Sequence, residues 1–471
     1  MYQQLYDKLA PYGQTQLLRF FNQLNAMEQA HLAAQIQALD LPELDRLIRE
    51  YVLQRKPITI PEDLKPAEFF PLHPVDADQA AWYERARARG EALLKEGKVS
   101  ALTVAGGQGT RLGFDGPKGT YPIAPLSHKT LFQYFAESLL RAGEKYGHPL
   151  TWYIMTSVIN NQATQEFFEK HDYFGMEPKR VVFFIQGTMP AVGYDGKFLL
   201  GAKDSLSLSP DGHGGTLLAL RKSGCLDRMK AERVEYLSYF QVDNPLVSVV
   251  NPLLLGLHAL EDSEMSAIML SKTGPFEKLG NFCTSHGRLW IIEYSDLPEA
   301  LATSRNADGS LCFVAGSPAI HVLNRSFIER LTADGQLSLP WHRADKKVPF
   351  VNEAGQLVKP EEPNAVKLES FIFDALPLAE RTMILEADRR EEFAPTKNQT
   401  GVDSVESCRQ MLIARDARRL MAAGVKLPLT PEGDPAVQVE ISPRAVLDDE
   451  DAAAYCRSRK LTEIKQDTYL E

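Results

Sequence analysis

The chain has 471 residues, 44% hydrophobic and 24% charged, which is typical of a soluble globular protein with room for two or three domains. Its formal net charge of −10 argues against broad binding of nucleic acid or of an anionic membrane, so positive charge is expected only where an anionic ligand binds. The five cysteines contain no C-x-x-C pair, which disfavours a zinc site or a disulfide framework and indicates reduced thiols in a cytoplasm.

Residues 1–95 are predicted to form a helical N-terminal region. Leu17, Phe21 and Leu24 recur at helical spacing, and similar patterns follow them. We assign this region a packing role without chemistry. Its first residues lack the basic, apolar and small-residue pattern of a secretory signal, so a cytoplasmic location is expected.

From residue 96 onward, apolar runs alternate with helical patterns, as expected of a mostly parallel α/β sheet. We predict a catalytic domain over residues 96–400 and a small C-terminal α+β domain over residues 401–471. Ligands of such sheets bind beyond the carboxyl ends of the strands, so the residues after each strand are the candidates for chemistry. The predicted strands cover residues 99–105, 151–156, 181–186, 236–242, 266–270, 289–294 and 311–315.

The first predicted strand runs into a glycine-rich loop, GGQGTRLGFDGPKG. Gly106 and Gly107 let the backbone approach a ligand closely and turn its N–H groups toward an anion. Arg111 offers a forked, permanently charged donor suited to phosphate, and Lys118 adds a second cation seven residues later. The loop is therefore a candidate phosphate-binding segment.

Two better-known phosphate loops do not fit this segment. A P-loop requires Lys-Ser or Lys-Thr after its glycines, and none follows here. A dinucleotide fingerprint requires a third glycine where, counting from Gly107, the chain has Leu112. A purely structural alternative keeps the glycines for a tight turn and leaves Arg111 in solvent.

The segment from Gly106 to Gly113, with Pro117-Lys118-Gly119, resembles the signature of the UDP-sugar pyrophosphorylases, in particular the eukaryotic-type UDP-N-acetylhexosamine branch. Matching segments continue along most of the chain. The resemblance implies a Rossmann-like mixed, mostly parallel sheet of the nucleotidyltransferase (GT-A-like) type. It also implies UTP and a sugar 1-phosphate as substrates.

The strand that ends near residue 186 is followed by QGTMPA. The amide of Gln186 presents both a donor and an acceptor, which matches a pyrimidine edge, although a Gln at a strand end is more often an ordinary loop residue. The resemblance assigns Gln186 to the uracil and includes Met189 and Pro190 among the substrate-binding residues. It also implies that the backbone at Gly212, in the turn PDGHGG, meets the uracil.

The sugar-side residues follow from the resemblance alone. It assigns Gly280 and Glu293 to the sugar site, where Glu293 would accept hydrogen bonds from hexose hydroxyls. His213 and Ile320 stand where this branch has asparagines near the sugar. Because a polar site rejects analogues by leaving buried groups unpaired, the loss of two partners predicts relaxed discrimination between N-acetylglucosamine 1-phosphate and glucose 1-phosphate.

Asp243 follows the strand YLSYFQV directly. A carboxylate at a strand's carboxyl end suits Mg²⁺, which is held by few protein ligands and by phosphate oxygens. The alternative is an Asp that caps a helix starting near Pro245. The V-D-N match to the family favours Mg²⁺ as the cofactor.

Two further lysines are assigned catalytic roles by their matched neighbourhoods. Lys367 lies in NAVKLESFIFD and Lys397 in EFAPTKN, and both segments resemble lysine-bearing segments of the family. An isolated lysine is usually a solvated surface residue, so these two depend on the resemblance. The predicted catalytic set is Arg111, Lys118, Lys367 and Lys397.

We expect attack of a sugar 1-phosphate on the α-phosphorus of UTP, with N-acetylglucosamine 1-phosphate favoured. A UTP–glucose-1-phosphate uridylyltransferase and a broad UDP-sugar pyrophosphorylase are alternatives, as is a non-catalytic UDP-sugar-binding protein. A nicotinamide or flavin enzyme lacks support because the third glycine and a ribose-binding acid are missing. No nucleic-acid or membrane partner is expected, and the sequence leaves monomer and homodimer open.

Overall fold

A computed structural model describes residues 1–55, 60–337 and 339–471. The chain divides into two compact units. The described residues of the first unit fall within Met1–Ile60, Gln186–Gly215 and Ser338–Asp374. Those of the second fall within Pro61–Ile185, Thr216–Leu337 and Ala375–Glu471.

Several α-helices begin at residues that favour helix starts. Asn25, for example, accepts hydrogen bonds from the first-turn N–H groups of Met27 and Glu28, and the Glu28 side chain accepts one from the Asn25 N–H in return. The helices are α1 Tyr2–Leu9, α2 Ala26–Ala38, α3 Leu41–Leu47, α4 Ala77–Lys95, α5 Leu131–Tyr146, α6 Asn161–Lys170, α7 Thr216–Lys222, α8 Cys225–Ala231, α9 Pro252–Leu260, α10 Glu299–Ala302, α11 Arg325–Leu331, α12 Arg389–Glu392, α13 Val405–Ala422 and α14 Asp449–Arg459.

The strands are mostly short, and the longer ones are largely buried. They are β1 Lys65–Pro66, β2 Val99–Val104, β3 Trp152–Thr156, β4 Val181–Ile185, β5 Thr188–Pro190, β6 Val192–Gly193, β7 Leu200–Ala202, β8 Ser205–Leu206, β9 Leu208–Pro210, β10 Tyr236–Gln241, β11 Met265–Ser271, β12 Gly280–Ser285, β13 Arg288–Ile292, β14 Ala315–Ser317, β15 His321–Asn324, β16 His342–Lys346, β17 Phe350–Val351, β18 Leu357–Val358, β19 Ala365–Glu369, β20 Thr382–Glu386, β21 Val439–Ile441 and β22 Thr468–Leu470.

The second unit contains a mixed sheet in the order β1-β12-β14-β11-β15-β10-β2-β3-β4, with β13 paired to β12 and β20 to β11. Strands β10, β2, β3 and β4 pair in parallel, as do β11 and β20. Strand β15 is antiparallel to both β10 and β11, so β11 and β20 run in the direction of β10. The carboxyl ends of six strands therefore meet at one edge of the sheet, and the mixed α/β prediction is confirmed.

Helices cover this sheet and produce the main hydrophobic core. Strand β3 is buried along its whole length, and Trp152 contacts the rings of Phe132 and Phe168. Helices α4 and α9 approach each other closely through glycines. A Cβ atom built on Gly90 would lie 1.9 Å from the Pro252 carbonyl oxygen, and one on Gly256 would lie 1.6 Å from the Ala86 carbonyl oxygen.

One predicted strand is wrong. Residues 311–315 were expected to pair as a strand, but β14 begins only at Ala315, and Leu311 forms a single isolated bridge with Arg305. Leu311 and Phe313 are nevertheless buried. A short apolar run predicts burial, but it does not distinguish a strand from a packed turn.

In the first unit, helices α1–α3 share a hydrophobic cluster with residues of short strands. Leu9, Leu17 and Ile36 pack in this cluster with Val366 and Leu368 of β19. Strand β19 lies between β16 and β6 in a three-stranded antiparallel sheet. The helical N-terminus is thereby confirmed, while the domain boundaries at residues 95 and 400 stay predictions.

The C-terminal part of the second unit has a hydrophobic cluster of its own. Leu420 of α13 packs there with Val439 and Ile441 of β21, and with Ile464. Helix α13 occupies the segment where a helix begins the predicted C-terminal domain. No helix within the described ranges combines the length and apolar character needed to cross a bilayer.

Candidate active site

The glycine loop after β2 is held by a buried asparagine. The Gly107 carbonyl accepts hydrogen bonds from the Lys118 backbone N–H at 3.1 Å and from Asn160 Nδ2 at 3.2 Å. Asn160 is fully buried, also donates to the Ala105 carbonyl at 2.9 Å, and accepts from the Ser157 N–H at 2.8 Å. The amide thus fixes both ends of the turn that leaves β2.

One side of this loop is open. Gly107 is exposed, and a Cβ atom built on it would meet no atom within 4 Å. The absence of a side chain therefore leaves room for a ligand to reach the backbone. The role of Asn160 was not predicted from the sequence, because an asparagine just before a helix is typical of an ordinary helix cap.

Lys118 and Asp243 form an ion pair after strands β2 and β10. Lys118 Nζ lies 3.2 Å from Asp243 Oδ2 and 3.2 Å from the Thr396 carbonyl oxygen. Both side chains are largely buried, with exposed fractions of 8% and 13%. The Thr396 N–H donates to the Asp243 carbonyl at 2.8 Å, so the segment that precedes Lys397 is attached to both charged residues.

The helix-cap alternative for Asp243 is wrong. The next α-helix, α9, begins at Pro252, and its cap is Asn251, which accepts from the Leu254 N–H at 3.1 Å. Asp243 therefore has no helix terminus to cap, and its carboxylate is directed to Lys118 instead.

Asn244 and Glu392 hold the Asp243 loop against the segment before Lys397. Asn244 donates to the Glu392 carbonyl at 2.7 Å and accepts from the Ala394 N–H at 2.9 Å. The Glu392 carboxylate, which is buried, accepts from the Ser248 N–H at 2.9 Å and from its hydroxyl at 2.7 Å. Two loops that are about 150 residues apart in sequence are thereby fixed to each other.

Arg111 and Lys397 are more accessible than Lys118. Arg111 is exposed and makes no hydrogen bond or ion pair with another residue of the described ranges. Lys397 lies 3.7 Å from Asp403 and near the ring of Phe393, with a side chain that is 36% exposed. Both cations are available to an anionic ligand at modest desolvation cost.

Asp243 also has the chemistry of a Mg²⁺ ligand. Groups of three or more His, Cys, Asp and Glu side chains that could hold a metal are absent from the described residues. Mg²⁺ is commonly held by one or two carboxylates together with substrate phosphates, so the single carboxylate of Asp243 fits such a site.

The predicted sugar-side residues lie on a hairpin of the same unit. Asn281 pairs with Ile292 across strands β12 and β13, so Gly280 and Glu293 lie at the same end of the hairpin. A Cβ atom built on Gly280 would lie 4.0 Å from Glu293 Oε1. Ile320 is 4% exposed and belongs to the main hydrophobic core, so it contributes packing at this end of the sheet.

The predicted uracil-side residues lie together in the first unit. Gln186 is buried and donates to the Gly212 carbonyl at 2.6 Å. Strand β5, which contains Met189 and Pro190, pairs with β9 and so aligns the QGTMPA segment with the glycine turn. Gly212 has a φ of +86°, and a Cβ atom there would lie 2.2 Å from the Ser370 carbonyl oxygen, so the turn requires glycine.

His213 is part of an aromatic cluster. Its ring stacks on Phe371 with centroids 5.2 Å apart, and its Nδ1 accepts from the Ile372 N–H at 3.2 Å. Burial lowers the pKa of His213 to about 4, and the nearby His342 acts in the same direction. His213 is therefore neutral near pH 7, and its contact with a sugar stays a prediction.

Lys367 lies on β19, next to Ala344 of β16. Burial lowers the pKa of its ammonium, while Glu369 opposes the shift and Lys346 adds to it. A partly desolvated lysine attracts an anion more strongly than a solvated one does.

Each unit thus contains part of the predicted set: Gly107, Lys118 and Asp243 in the second, Gln186 and Gly212 in the first.

Comparisons with known proteins find relatives over most of the chain. Residues 62–423 match the UDPGP family, which is described as UTP–glucose-1-phosphate uridylyltransferase. The human UDP-N-acetylhexosamine pyrophosphorylase-like protein 1 is 36% identical over 95% of this chain and 93% of its own length. UDP-N-acetylglucosamine diphosphorylase 2 of Arabidopsis thaliana is 35% identical over 97% of this chain and 92% of its own length.

Among solved structures, the uridine diphosphate N-acetylglucosamine pyrophosphorylase from Trypanosoma brucei, in complex with an inhibitor, has the same fold. Its TM-score is 0.83, with 24% sequence identity, over 99% of this chain and 98% of that chain.

Proposed function

Because the chain belongs to the UDPGP family of UTP–glucose-1-phosphate uridylyltransferases, we propose that it transfers UMP from UTP to a sugar 1-phosphate and releases pyrophosphate. The enzyme is a nucleotidyltransferase, and its substrates are UTP and a sugar 1-phosphate. The observation that carries the proposal is the match over residues 62–423, which contains the glycine loop, Lys118, Asp243 and both later lysines.

The favoured sugar is N-acetylglucosamine 1-phosphate. The relatives in humans and in Arabidopsis thaliana carry N-acetylhexosamine and N-acetylglucosamine in their names. Glucose 1-phosphate is the second candidate, because His213 and Ile320 replace two asparagines of that branch. We propose that both sugars are accepted, with N-acetylglucosamine 1-phosphate preferred.

The reaction needs charge neutralisation more than a general base. A sugar 1-phosphate is largely dianionic near neutral pH, since its second pKa is about 6, and it is already nucleophilic. Attack on the α-phosphorus brings two polyanions together, so the protein's part is to position them and to stabilise the negative charge.

The charged residues of the second unit would each stabilise the negative charge in a different way. Arg111, which is exposed beside the glycine loop, would donate to phosphate oxygens in its forked geometry. Lys118, fixed by Asp243 and the Thr396 carbonyl, would supply a positioned charge. Lys397 would contribute a more mobile charge nearby.

Asp243 would hold Mg²⁺, which would offset the negative charge of the phosphates. In the same proposal Gln186 reads the uracil and Lys367 meets the phosphate of the sugar. Location in the cytoplasm is also proposed, and the proposal covers either a monomer or a homodimer.

The test is pyrophosphate release from UTP across a panel of hexose 1-phosphates. We expect release with N-acetylglucosamine 1-phosphate and, at lower kcat/KM, with glucose 1-phosphate. Arg111→Ala should lower turnover by about a hundredfold, the usual effect of losing one contact to developing charge in an enclosed site. It should leave the unfolding temperature unchanged, because Arg111 bonds to no other described residue.

One outcome would contradict the proposed reaction, and another would contradict the proposed role of Arg111. Binding of UDP-sugar without any pyrophosphate release would favour the non-catalytic alternative. Normal turnover by Arg111→Ala at saturating Mg²⁺ and UTP would contradict the proposed role of Arg111 and leave its side chain as a solvated loop residue.

A further inference from the structure

Three lysines are buried among the described residues, and one of them lacks a carboxylate partner. Lys118, Lys129 and Lys272 are each 7% exposed. Lys118 is paired with Asp243 and Lys129 with Glu137. No carboxylate of the described residues lies within ion-pair distance of Lys272.

The acid nearest in sequence is bonded elsewhere. Glu277 forms an ion pair with Arg389 at 2.7 Å and accepts from the Thr273 N–H at 2.8 Å. Lys272 instead donates to Asn281 Oδ1 at 2.5 Å. The side-chain amide of Asn281 cannot flip without losing a hydrogen bond, because its Nδ2 donates to the Ile292 carbonyl at 3.2 Å. The ammonium has three N–H groups, so one acceptor leaves most of its capacity unused.

Lys272 lies at the ligand-binding edge of the sheet. It follows β11 directly, and β11 runs parallel to β10, whose carboxyl end is followed by Asp243. Only β15 separates the two strands, so their axes are about 10 Å apart. That span is roughly the length of a hexose with its phosphate, so a sugar 1-phosphate held near Asp243 is long enough to reach the end of β11.

The surroundings of Lys272 are the predicted sugar-side residues. Asn281, which accepts the hydrogen bond from Lys272, follows Gly280 on β12. It pairs with Ile292 of β13, the residue before Glu293. Gly316 lies against the lysine stem, since a Cβ atom there would be 3.1 Å from Lys272 Cγ. The chain therefore leaves space for this side chain beside the hairpin that carries Glu293.

If Lys272 only supported Asn281, its side chain would not need to be charged. A buried ammonium without a counterion costs free energy, whereas a neutral side chain could fill the same space. Burial also lowers the pKa of Lys272, with Cys283 and Glu277 opposing the shift. A buried charge without an ion-pair partner in a ligand-binding region is a candidate functional residue, because a ligand can supply the missing partner.

We propose that Lys272 is a specificity-determining residue that donates to a carbonyl or carboxylate oxygen carried by the ring of the sugar 1-phosphate. The acetamido oxygen of an N-acetylhexosamine and the carboxylate of a uronic acid present this chemistry, and glucose 1-phosphate does not. The inference rests on the proposed function, because it concerns the sugar end of the same site.

The test compares kcat/KM for N-acetylglucosamine 1-phosphate, glucuronic acid 1-phosphate and glucose 1-phosphate in wild type and in Lys272→Met. Loss of a charge-assisted hydrogen bond should reduce kcat/KM roughly ten- to a hundredfold for one of the first two sugars. The value for glucose 1-phosphate and the KM for UTP should change little. The sugar that loses activity identifies the oxygen that is read.

Lys272→Gln is the second variant, since its amide can still donate to Asn281 without carrying charge. It should lose the same discrimination even if Lys272→Met folds poorly. Lys65→Met is the matched control, because Lys65 is exposed on β1, which pairs with β12, and should leave all three values unchanged.

The inference would be overturned if kcat/KM fell equally for all three sugars, or if the ratios of kcat/KM between the sugars were unchanged in both variants. Lys272 would then have only a structural role. A wild-type protein that releases no pyrophosphate with any sugar would instead contradict the proposed function. The two failures are therefore distinguishable.

Discussion

At the scale of single residues, the pairing of Lys118 with Asp243 sets the character of the site. Each side chain is largely buried, and each supplies the opposite charge that offsets the cost of burying the other. The same carboxylate is also the proposed Mg²⁺ ligand. Asp243 therefore has two candidate roles, counterion and metal ligand, which different variants can separate.

Asp243→Asn keeps the shape of the side chain but removes its charge. If Asp243 holds Mg²⁺, this variant should need a much higher Mg²⁺ concentration for half-maximal turnover, and its kcat should fall by about a hundredfold. Lys118→Met should lower kcat by a similar factor without changing the Mg²⁺ requirement. Titration of turnover against Mg²⁺ in both variants measures the difference.

The same Mg²⁺ requirement in Asp243→Asn and wild type would contradict the metal role and leave Asp243 as the counterion of Lys118. A rise in the requirement for both variants would mean that the ion pair, rather than the carboxylate alone, prepares the metal site.

The two charged residues were predicted from local patterns, but their contact was not. Lys118 was identified from its glycine loop and Asp243 from its place after a strand, 125 residues further on. Their ion pair depends on the parallel pairing of β2 with β10, which no local pattern encodes. The same limit explains why Asn244 and Glu392 were not recognised, since both act through contacts distant in sequence.

At the scale of elements, the end of β2 shows how a strand and a helix start cooperate to shape a ligand loop. Asn160, just before α6, donates to two carbonyls of the segment after β2. The segment after β3 thus stabilises the segment after β2, its parallel neighbour, at the carboxyl ends of both strands. The predicted strands were mostly found because they are apolar throughout, whereas such side-chain braces leave no periodic signal.

Asn160→Ala should remove this support, because the carbonyls of Ala105 and Gly107 would both lose the amide as a donor. We expect the KM for UTP to rise about tenfold and the free energy of unfolding to fall by about 1–3 kcal/mol, the usual effect of a lost buried hydrogen-bond partner. Kinetics and denaturant unfolding measure the two effects.

Asn160→Asp and Gln162→Ala complete this experiment. Aspartate has the same shape but cannot donate, so it should reproduce the kinetic defect. Gln162 lies on α6 with its side chain bonded to Glu166 and should give wild-type kinetics when replaced. A normal KM for UTP in Asn160→Asp would show that the hydrogen bonds donated by Asn160 do not affect nucleotide binding.

At the scale of the whole molecule, the formal net charge is −10, and the response of the fold to pH depends on individual titratable groups. A buried neutral histidine is expected to contribute to the loss of stability in acid. His258 is fully buried on α9, lies 2.7 Å from Ser266 Oγ and 2.8 Å from Asn324 Oδ1, and has a pKa lowered by burial to about 4.

This depressed pKa predicts a loss of stability in acid. In the unfolded chain His258 would titrate near pH 6.5, so between pH 6.5 and 4 the unfolded state binds a proton that the folded state does not. The stabilising contribution is therefore present above pH 6.5 and is lost as the pH falls toward 4. Its size is on the order of 3 kcal/mol.

Denaturant unfolding from about pH 7.5 to about pH 4.5 measures this dependence across the range in which the unfolded histidine gains its proton. His258→Gln should lower stability at the upper end of this range but flatten the decline in acid, whereas replacement of the exposed His128 by glutamine should leave the decline unchanged. An equally steep decline in His258→Gln would assign the acid sensitivity to other groups.

The contact between α4 and α9 bears on how this enzyme can be engineered. Alanine in place of a helical glycine usually stabilises a protein by roughly 0.4–1 kcal/mol, so such positions are attractive in thermostability libraries. At Gly90 and Gly256 the added methyl would meet backbone carbonyl groups of the opposite helix, which cannot rotate away. Because α9 follows the loop that begins at Asp243, separation of the helices would also disturb the edge of the sheet that we propose to bind the substrates. A consensus or library design should keep both glycines and seek its gains on the solvent-facing positions of the same helices.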